Sequence, residues 1–193
     1  MKASTLLLAA TLLTVGLGQA QTIKKTVMND TTALATMGFS RANHVGIVTS
    51  NLDASIRFYE ALTGKKAAPQ DKIGGKRMAG VLGLDKALIR YATIHLDNLN
   101  IDLLQYEAPE PSKAQYANNQ IGAMHLCFEV DNIDDAVARL CKAGIRLQGD
   151  PITFMEEDGL KAGFGTAVAY FDDPDGTHLE IIAPQGPFKR TGN

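Results

Sequence analysis

The chain has 193 residues, enough for one domain with its own hydrophobic core. Its formal net charge is −2 and its Lys and Arg residues are scattered, so no basic patch is offered to a nucleic-acid backbone. It contains no Trp and few aromatics, which also removes a base-stacking platform.

The N-terminus has the layout of a secretory signal. Lys2 supplies a positive start, Leu6 to Leu17 an apolar run, and Gly18-Gln19-Ala20 a small-x-small cleavage site. The run is short of the roughly 20 apolar residues of a membrane-spanning helix. Residues 1–20 therefore read as a cleaved signal peptide, and the mature chain as exported, periplasmic or secreted, with no membrane span. Residues 21–38 read as a flexible polar lead-in, because their few apolar residues show no sustained period.

From there the chain repeats itself. His44-Val45-Gly46-Ile47-Val48 reads as a strand, and Asn51 caps a helical pattern with Leu52, Ile56, Tyr59 and Leu62 on one face, ending at Gly64. The second copy runs His125 to Val130, then Asn132 caps a helix with Ile133, Val137 and Leu140 on one face, ending at Gly144. The same 81-residue offset separates His44 from His125 and Asn51 from Asn132. Strands follow each helix: Ala87 to Leu96 and Asn100 to Tyr106 in the first copy, Ala167 to Phe171 and Thr177 to Ala183 in the second. Asp173-Pro174-Asp175-Gly176 has the composition of a tight turn. Stretches around Gly74-Gly75, Pro109 to Asn119 and Asp158 to Gly165 read as exposed connections.

The expected fold is α+β: two tandem βαβββ modules forming a curved, partly closed mixed sheet, with helices outside and a central cavity. Module one covers about residues 40–108 and module two about 121–185, within a domain at 39–185 and followed by a tail at 186–193.

Alternation along the strands turns His125, Cys127 and Glu129 towards the cavity. Asp102 and Glu180 each stand alone in an apolar strand, where a carboxylate is costly unless paired or metal-bound. Two-fold symmetry of the repeat brings His44, Asp102, His125 and Glu180 to one shared axis. Imidazole nitrogens with carboxylate oxygens suit zinc, nickel, cobalt, manganese or iron. His95 and His178 read as surface residues, and Cys127 and Cys141 as free thiols.

On these residues the chain resembles the vicinal oxygen chelate superfamily, the glyoxalase, bleomycin resistance and dioxygenase fold. The motifs are Asn43-His44-Val45-Gly46, Ile101-Asp102-Leu103-Leu104, His125 to Asp131, and Asp173-Pro174-Asp175-Gly176-Thr177-His178-Leu179-Glu180. The pattern is most similar to glyoxalase I and methylmalonyl-CoA epimerase-like members. The resemblance implies metal ligands at His44, His125 and Glu180, with Asp102 at a position that is Glu or Gln in those members. It implies a divalent cofactor (zinc, nickel, cobalt or manganese before iron), a small-molecule substrate with vicinal oxygens, and a homodimer as one mode of assembly.

The activity implied is that of an isomerase, epimerase or lyase, with Glu180 and Asp102 as acid–base groups. Two alternatives stand beside it. An extradiol-type dioxygenase is suggested by Tyr170 to Gly176 with Glu180, although no His lies in residues 158–169, where that signature expects one. A non-catalytic small-molecule or drug binder is the other.

Overall fold

The computed structural model describes residues 38–159 and 163–189. The expected signal peptide and nearly all of the lead-in lie outside the described residues. No helix among the described residues is long and apolar enough to cross a membrane.

The first module runs β1 (His44–Val48), α1 (Leu52–Thr63), β2 (Asp71–Gly74), α2 (Lys76–Leu82), β3 (Leu88–His95) and β4 (Asn100–Ala108). The second runs β5 (His125–Glu129), α3 (Ile133–Lys142), β6 (Ile152–Thr153), β7 (Ala167–Asp172) and β8 (His178–Ala183). Each module is a four-stranded mixed sheet, ordered β1-β4-β3-β2 and β5-β8-β7-β6. The first and last strands of a module pair in parallel, and the rest are antiparallel. The architecture is the α+β repeat read from the sequence. The strands pair within modules, four to each mixed sheet.

The helices form where the caps were read. The Asn51 Oδ1 accepts from Ala54 N at 3.0 Å, and Asn132 Oδ1 accepts from Asp135 N at 2.9 Å. Gly64 ends α1 at φ 69°, a left-handed conformation that a side chain would oppose. Helix α3 also carries Asp134 and Asp135 in its first turn and Arg139 and Lys142 in its last, matching the helix dipole. The short helix α2 lies in a stretch expected to be an exposed connection. Its cap, Gly75, offers no side-chain hydrogen bond, and Ala79 is its one buried residue, so neither a capping signal nor an apolar stripe marks it.

Both modules feed one core. Ile47, Ile94, Ile101 and Leu103 from the first sheet cluster with Phe171, Leu179 and Ile181 from the second, and with Leu52 and Tyr59 of α1 and Ala136 and Leu140 of α3. Each of the large apolar side chains contributes on the order of 1.5–3 kcal/mol by leaving water. The strand residues of this cluster alternate with Asp102 and Glu180, so each sheet has a helix-side face and an open face.

Polar bonds fasten the β7–β8 turn to module one. Tyr59 Oη donates to Asp173 Oδ2 at 3.0 Å, while Asp173 Oδ1 accepts from the amides of Asp175 and Thr177 at 2.9 and 2.8 Å. Asp175 Oδ2 accepts from the Thr49 hydroxyl at 2.6 Å and from Ser50 N at 2.9 Å. Asp173 is only 5% exposed, so these bonds repay its desolvation. Burial, then the charge and hydrogen bond of Asp173, push the Tyr59 phenol far above its ordinary range, and it stays a donor.

Candidate functional site

The repeat places a histidine and a carboxylate at matching positions of each module. In the parallel β1–β4 pair Gly46 lies opposite Asp102, and in β5–β8 Cys127 lies opposite Glu180. The histidine stands two residues earlier in both cases, on the same face by strand alternation. His44 Nε2 is 3.7 Å from Asp102 Oδ2, and His125 Nε2 is 3.0 Å from Glu180 Oε2.

A hydroxyl-bearing residue of the neighbouring strand stands opposite each carboxylate. Thr93, opposite Asp102 on β3, donates to Asp102 Oδ1 at 2.6 Å. Tyr170 is the register partner of Glu180 on β7. The Tyr170 ring also meets His125 edge-on, with centroids 5.4 Å apart. Asn43 Oδ1 lies 2.9 Å from His44 Nδ1, a contact that leaves Nε2 turned to Asp102.

Electrostatics around Glu180 keep its neighbours protonated. Desolvation, then the charge and hydrogen bond of Glu180, push the Tyr170 phenol up to about 12. The same causes in the same order push the Cys127 thiol up to about 12, with Glu129 adding a further charge. Cys127 is therefore a thiol at neutral pH and a poor nucleophile. Cys127 and Cys141 are both free.

A cavity of about 410 Å³ opens beside Glu180, walled by Asn118, Gln148, Asp150, Phe154 and Tyr170 among others. A second one, of about 400 Å³, lies at Ser50, Lys113, Tyr116, Asp175 and His178, and none of the four proposed ligands lines it.

The four candidate residues thus come together as two pairs. Among the described residues no group of three or more His, Cys, Asp or Glu side chains is close enough to hold an ion. By donor chemistry each pair fits a divalent ion, but by itself each supplies two protein donors where catalytic sites use about three.

His95 is exposed, as expected, and contacts Asn100 Oδ1 at 2.8 Å. His178 is not a surface residue: its side chain is 13% exposed. Its Nδ1 lies 2.7 Å from Asp172 Oδ1 and its Nε2 2.6 Å from the Tyr116 carbonyl, which pins the inter-module linker to β8. Burial alone would lower its pKa, but the Asp172 bond, the Tyr116 carbonyl and the Asp172 charge outweigh it and raise the pKa. Sequence reading missed the supporting role of Thr93 and Tyr170. Their signal is positional, since each is the cross-strand neighbour of the acid.

Residues 41–181 match the model of the Glyoxalase/Bleomycin resistance protein/Dioxygenase superfamily. The chain is 32% identical over 161 residues to a 2-epi-5-epi-valiolone epimerase from Actinomyces sp., covering 79% of this chain and 85% of that protein. It is 28% identical over 126 residues to the human mitochondrial methylmalonyl-CoA epimerase, covering 60% of this chain and 65% of that protein. Among solved structures, a glyoxalase family protein from Bacillus cereus superposes with a TM-score of 0.66 at 23% identity, covering 80% of this chain and all of that one.

Proposed function

Because the chain belongs to the Glyoxalase/Bleomycin resistance protein/Dioxygenase superfamily, we propose that it is a divalent-metal-dependent epimerase acting on a small substrate with neighbouring oxygens. The observation that carries this reading is the repetition of one His–carboxylate–hydroxyl arrangement: His44, Asp102 and Thr93 on one open face, His125, Glu180 and Tyr170 on the other. Inverting a carbon next to a carbonyl needs one group to remove its proton and another to return it from the opposite side. Two carboxylates from two modules meet that need. The two epimerase relatives support the same class.

His44, Asp102, His125 and Glu180 would hold the ion: zinc, nickel, cobalt or manganese. When bound, the ion supplies Lewis-acid polarisation of the substrate carbonyl. A second copy of the chain completes the ligand set. A two-fold axis sets module one of each copy against module two of the other and makes two equal sites. Val48 and Ile152, 48% and 50% exposed on the two open faces, would be covered in that assembly.

Glu180, released from the ion for this step, would take the proton from the carbon beside the carbonyl, and Asp102, likewise released and protonated from solvent, would deliver one to the opposite face. Tyr170, opposite Glu180 and edge-on to His125, would help to place both side chains. Thr93 does the same for Asp102.

Proton exchange tests this reading. In D2O the metal-reconstituted protein should place deuterium on the carbon beside the carbonyl of a cyclic α-hydroxy ketone, followed by NMR. Glu180→Gln should slow that exchange by about 10²–10⁴-fold with the circular dichroism of the fold unchanged. Exchange that proceeds equally well in Glu180→Gln would remove the base from the account.

A further inference from the structure

His125 begins the edge strand of the second sheet, and the inter-module linker leads straight into it. Its counterpart His44 has a local support: Asn43 Oδ1 lies 2.9 Å from His44 Nδ1, and the Asn43 carbonyl accepts from Asn100 N at 3.2 Å. Met124 holds the equivalent place before His125 and has no amide side chain to offer. Ile121 and Met124, the large apolar residues of this approach, are exposed. Burial within the chain therefore does not set the path by which the linker reaches His125.

Polar bonds set it instead. Cross-strand register makes His178 the partner of His125 on β5 and of Asp172 on β7, so the three form one row across the open face. Glu180 and its partner Tyr170 stand in the next row. His178 Nε2 lies 2.6 Å from the Tyr116 carbonyl oxygen and its Nδ1 2.7 Å from Asp172 Oδ1, which ties the linker to the row that holds His125. Two residues on, Asn118 Nδ2 donates to Gln148 Oε1 at 2.7 Å, and Gln148 Nε2 donates to Asp172 Oδ1 at 2.8 Å. Gln148 is itself fixed to β7, where its backbone N donates to the Tyr170 carbonyl at 2.8 Å. The linker's own bonds carry this anchorage forward. Ala117 N donates to Gln120 Oε1 at 2.8 Å, Gln120 N to the Ala117 carbonyl at 2.9 Å, and Ala123 N to the Gln120 carbonyl at 3.0 Å. Bonded chain thus runs from the anchor almost to His125.

We infer that His178 is a positioning residue for the proposed metal site: by fastening the linker across the end of the second open face, it fixes where His125 stands relative to Glu180. The inference rests on the metal reading for the role of the His125–Glu180 pair, and on these bonds for the role of His178. Both ring nitrogens of His178 are engaged with Asp172 and Tyr116, so it acts through the linker and not as a ligand. A ligand placed before the ion arrives has less freedom to lose on binding, so releasing the linker weakens binding without removing a donor.

Zinc binding to the full chain, measured by competition with a chromophoric chelator, tests this. His178→Ala should raise the zinc dissociation constant by about tenfold or more. His178→Gln, which can still donate to the Tyr116 carbonyl, should recover part of that loss. Asn118→Ala removes an exposed partner on the linker and touches no strand, so it decides the matter if His178→Ala fails to fold. It should raise the constant by roughly fivefold. His95→Ala, at the place of Asp172 in module one, should leave the constant unchanged. Trypsin cleavage after Lys113, in the exposed linker, should quicken in the His178 and Asn118 variants and reports the release of the linker. A His178 that served the fold alone would lower the melting temperature and leave the zinc affinity of the folded protein as it was. That result, with faster cleavage, overturns the inference while the metal reading stands. A wild type that binds no zinc overturns the metal reading and this inference with it.

Discussion

The two modules carry the same pair built to different tolerances. In module one His44 and Asp102 stand 3.7 Å apart, and the Asp102 side chain is 24% exposed. In module two His125 and Glu180 stand 3.0 Å apart, and the Glu180 side chain is 9% exposed. Glu reaches one methylene further than Asp from the same strand position, and Cys127 and Tyr170 close around it. The difference extends to the turn that joins the last two strands. In module one Asp97 is exposed and pairs with Lys65, whereas in module two Asp173 is buried and bonded to Tyr59 across the module boundary. One duplicated plan thus yields an open half and a braced half, and bracing follows from what each carboxylate can reach.

The largest structural contrast lies at those turns. Asp173→Ala should cost about 3 kcal/mol, because it leaves the buried Tyr59 hydroxyl and two amides without their acceptor. Asp97→Ala should leave the melting temperature unchanged, since its ion pair is solvated. Denaturant titration of both variants decides it, and equal losses would mean that the turns are not differently braced.

A smaller contrast lies one step away. His95 faces Asn100 in module one, and Asp172 faces His178 at the equivalent ends of β7 and β8. His178→Ala should cost about 2 kcal/mol at pH 6, whereas Asn100→Ala should stay within about 0.5 kcal/mol. The pH dependence has a definite sign. The folded pKa of His178 is raised, so its contribution is complete below the ordinary imidazole value of about 6.5 and is lost as pH rises through the folded pKa. Thermal melts should therefore show the wild-type advantage over His178→Ala shrinking between pH 6 and pH 9. A gap that widens with pH would reverse the assignment.

The repeat was legible in the sequence because caps, helix stops and strand starts keep their spacing. Asn51, Gly64 and Asn132 do in the structure what their residue types allow. The His–carboxylate pairs were legible for a related reason: a lone acid in an apolar strand implies a partner, and the repeat supplied the histidine. The meeting of the two pairs was not legible. Strand alternation shows which face a side chain takes, but not whether two such faces turn towards each other. That depends on how the two modules are joined, through contacts such as those among Leu52, Tyr59, Phe171 and Leu179, which no local period reports. His178 was misread because its burial comes from Tyr116 of the linker, 62 residues away, and no local period reports such a contact.

Metal content tests the central claim, that the two pairs are halves of one site, most directly. Elemental mass spectrometry would compare the reconstituted wild-type protein with His44→Ala, His125→Ala and a mixture of the two variants allowed to exchange subunits. The account predicts about one divalent ion per chain in the wild type. It predicts loss in each variant and partial recovery in the mixture, where one of the two sites in a mixed pair keeps all four ligands. An ion retained by either single variant, or none in the wild type after reconstitution, would contradict it.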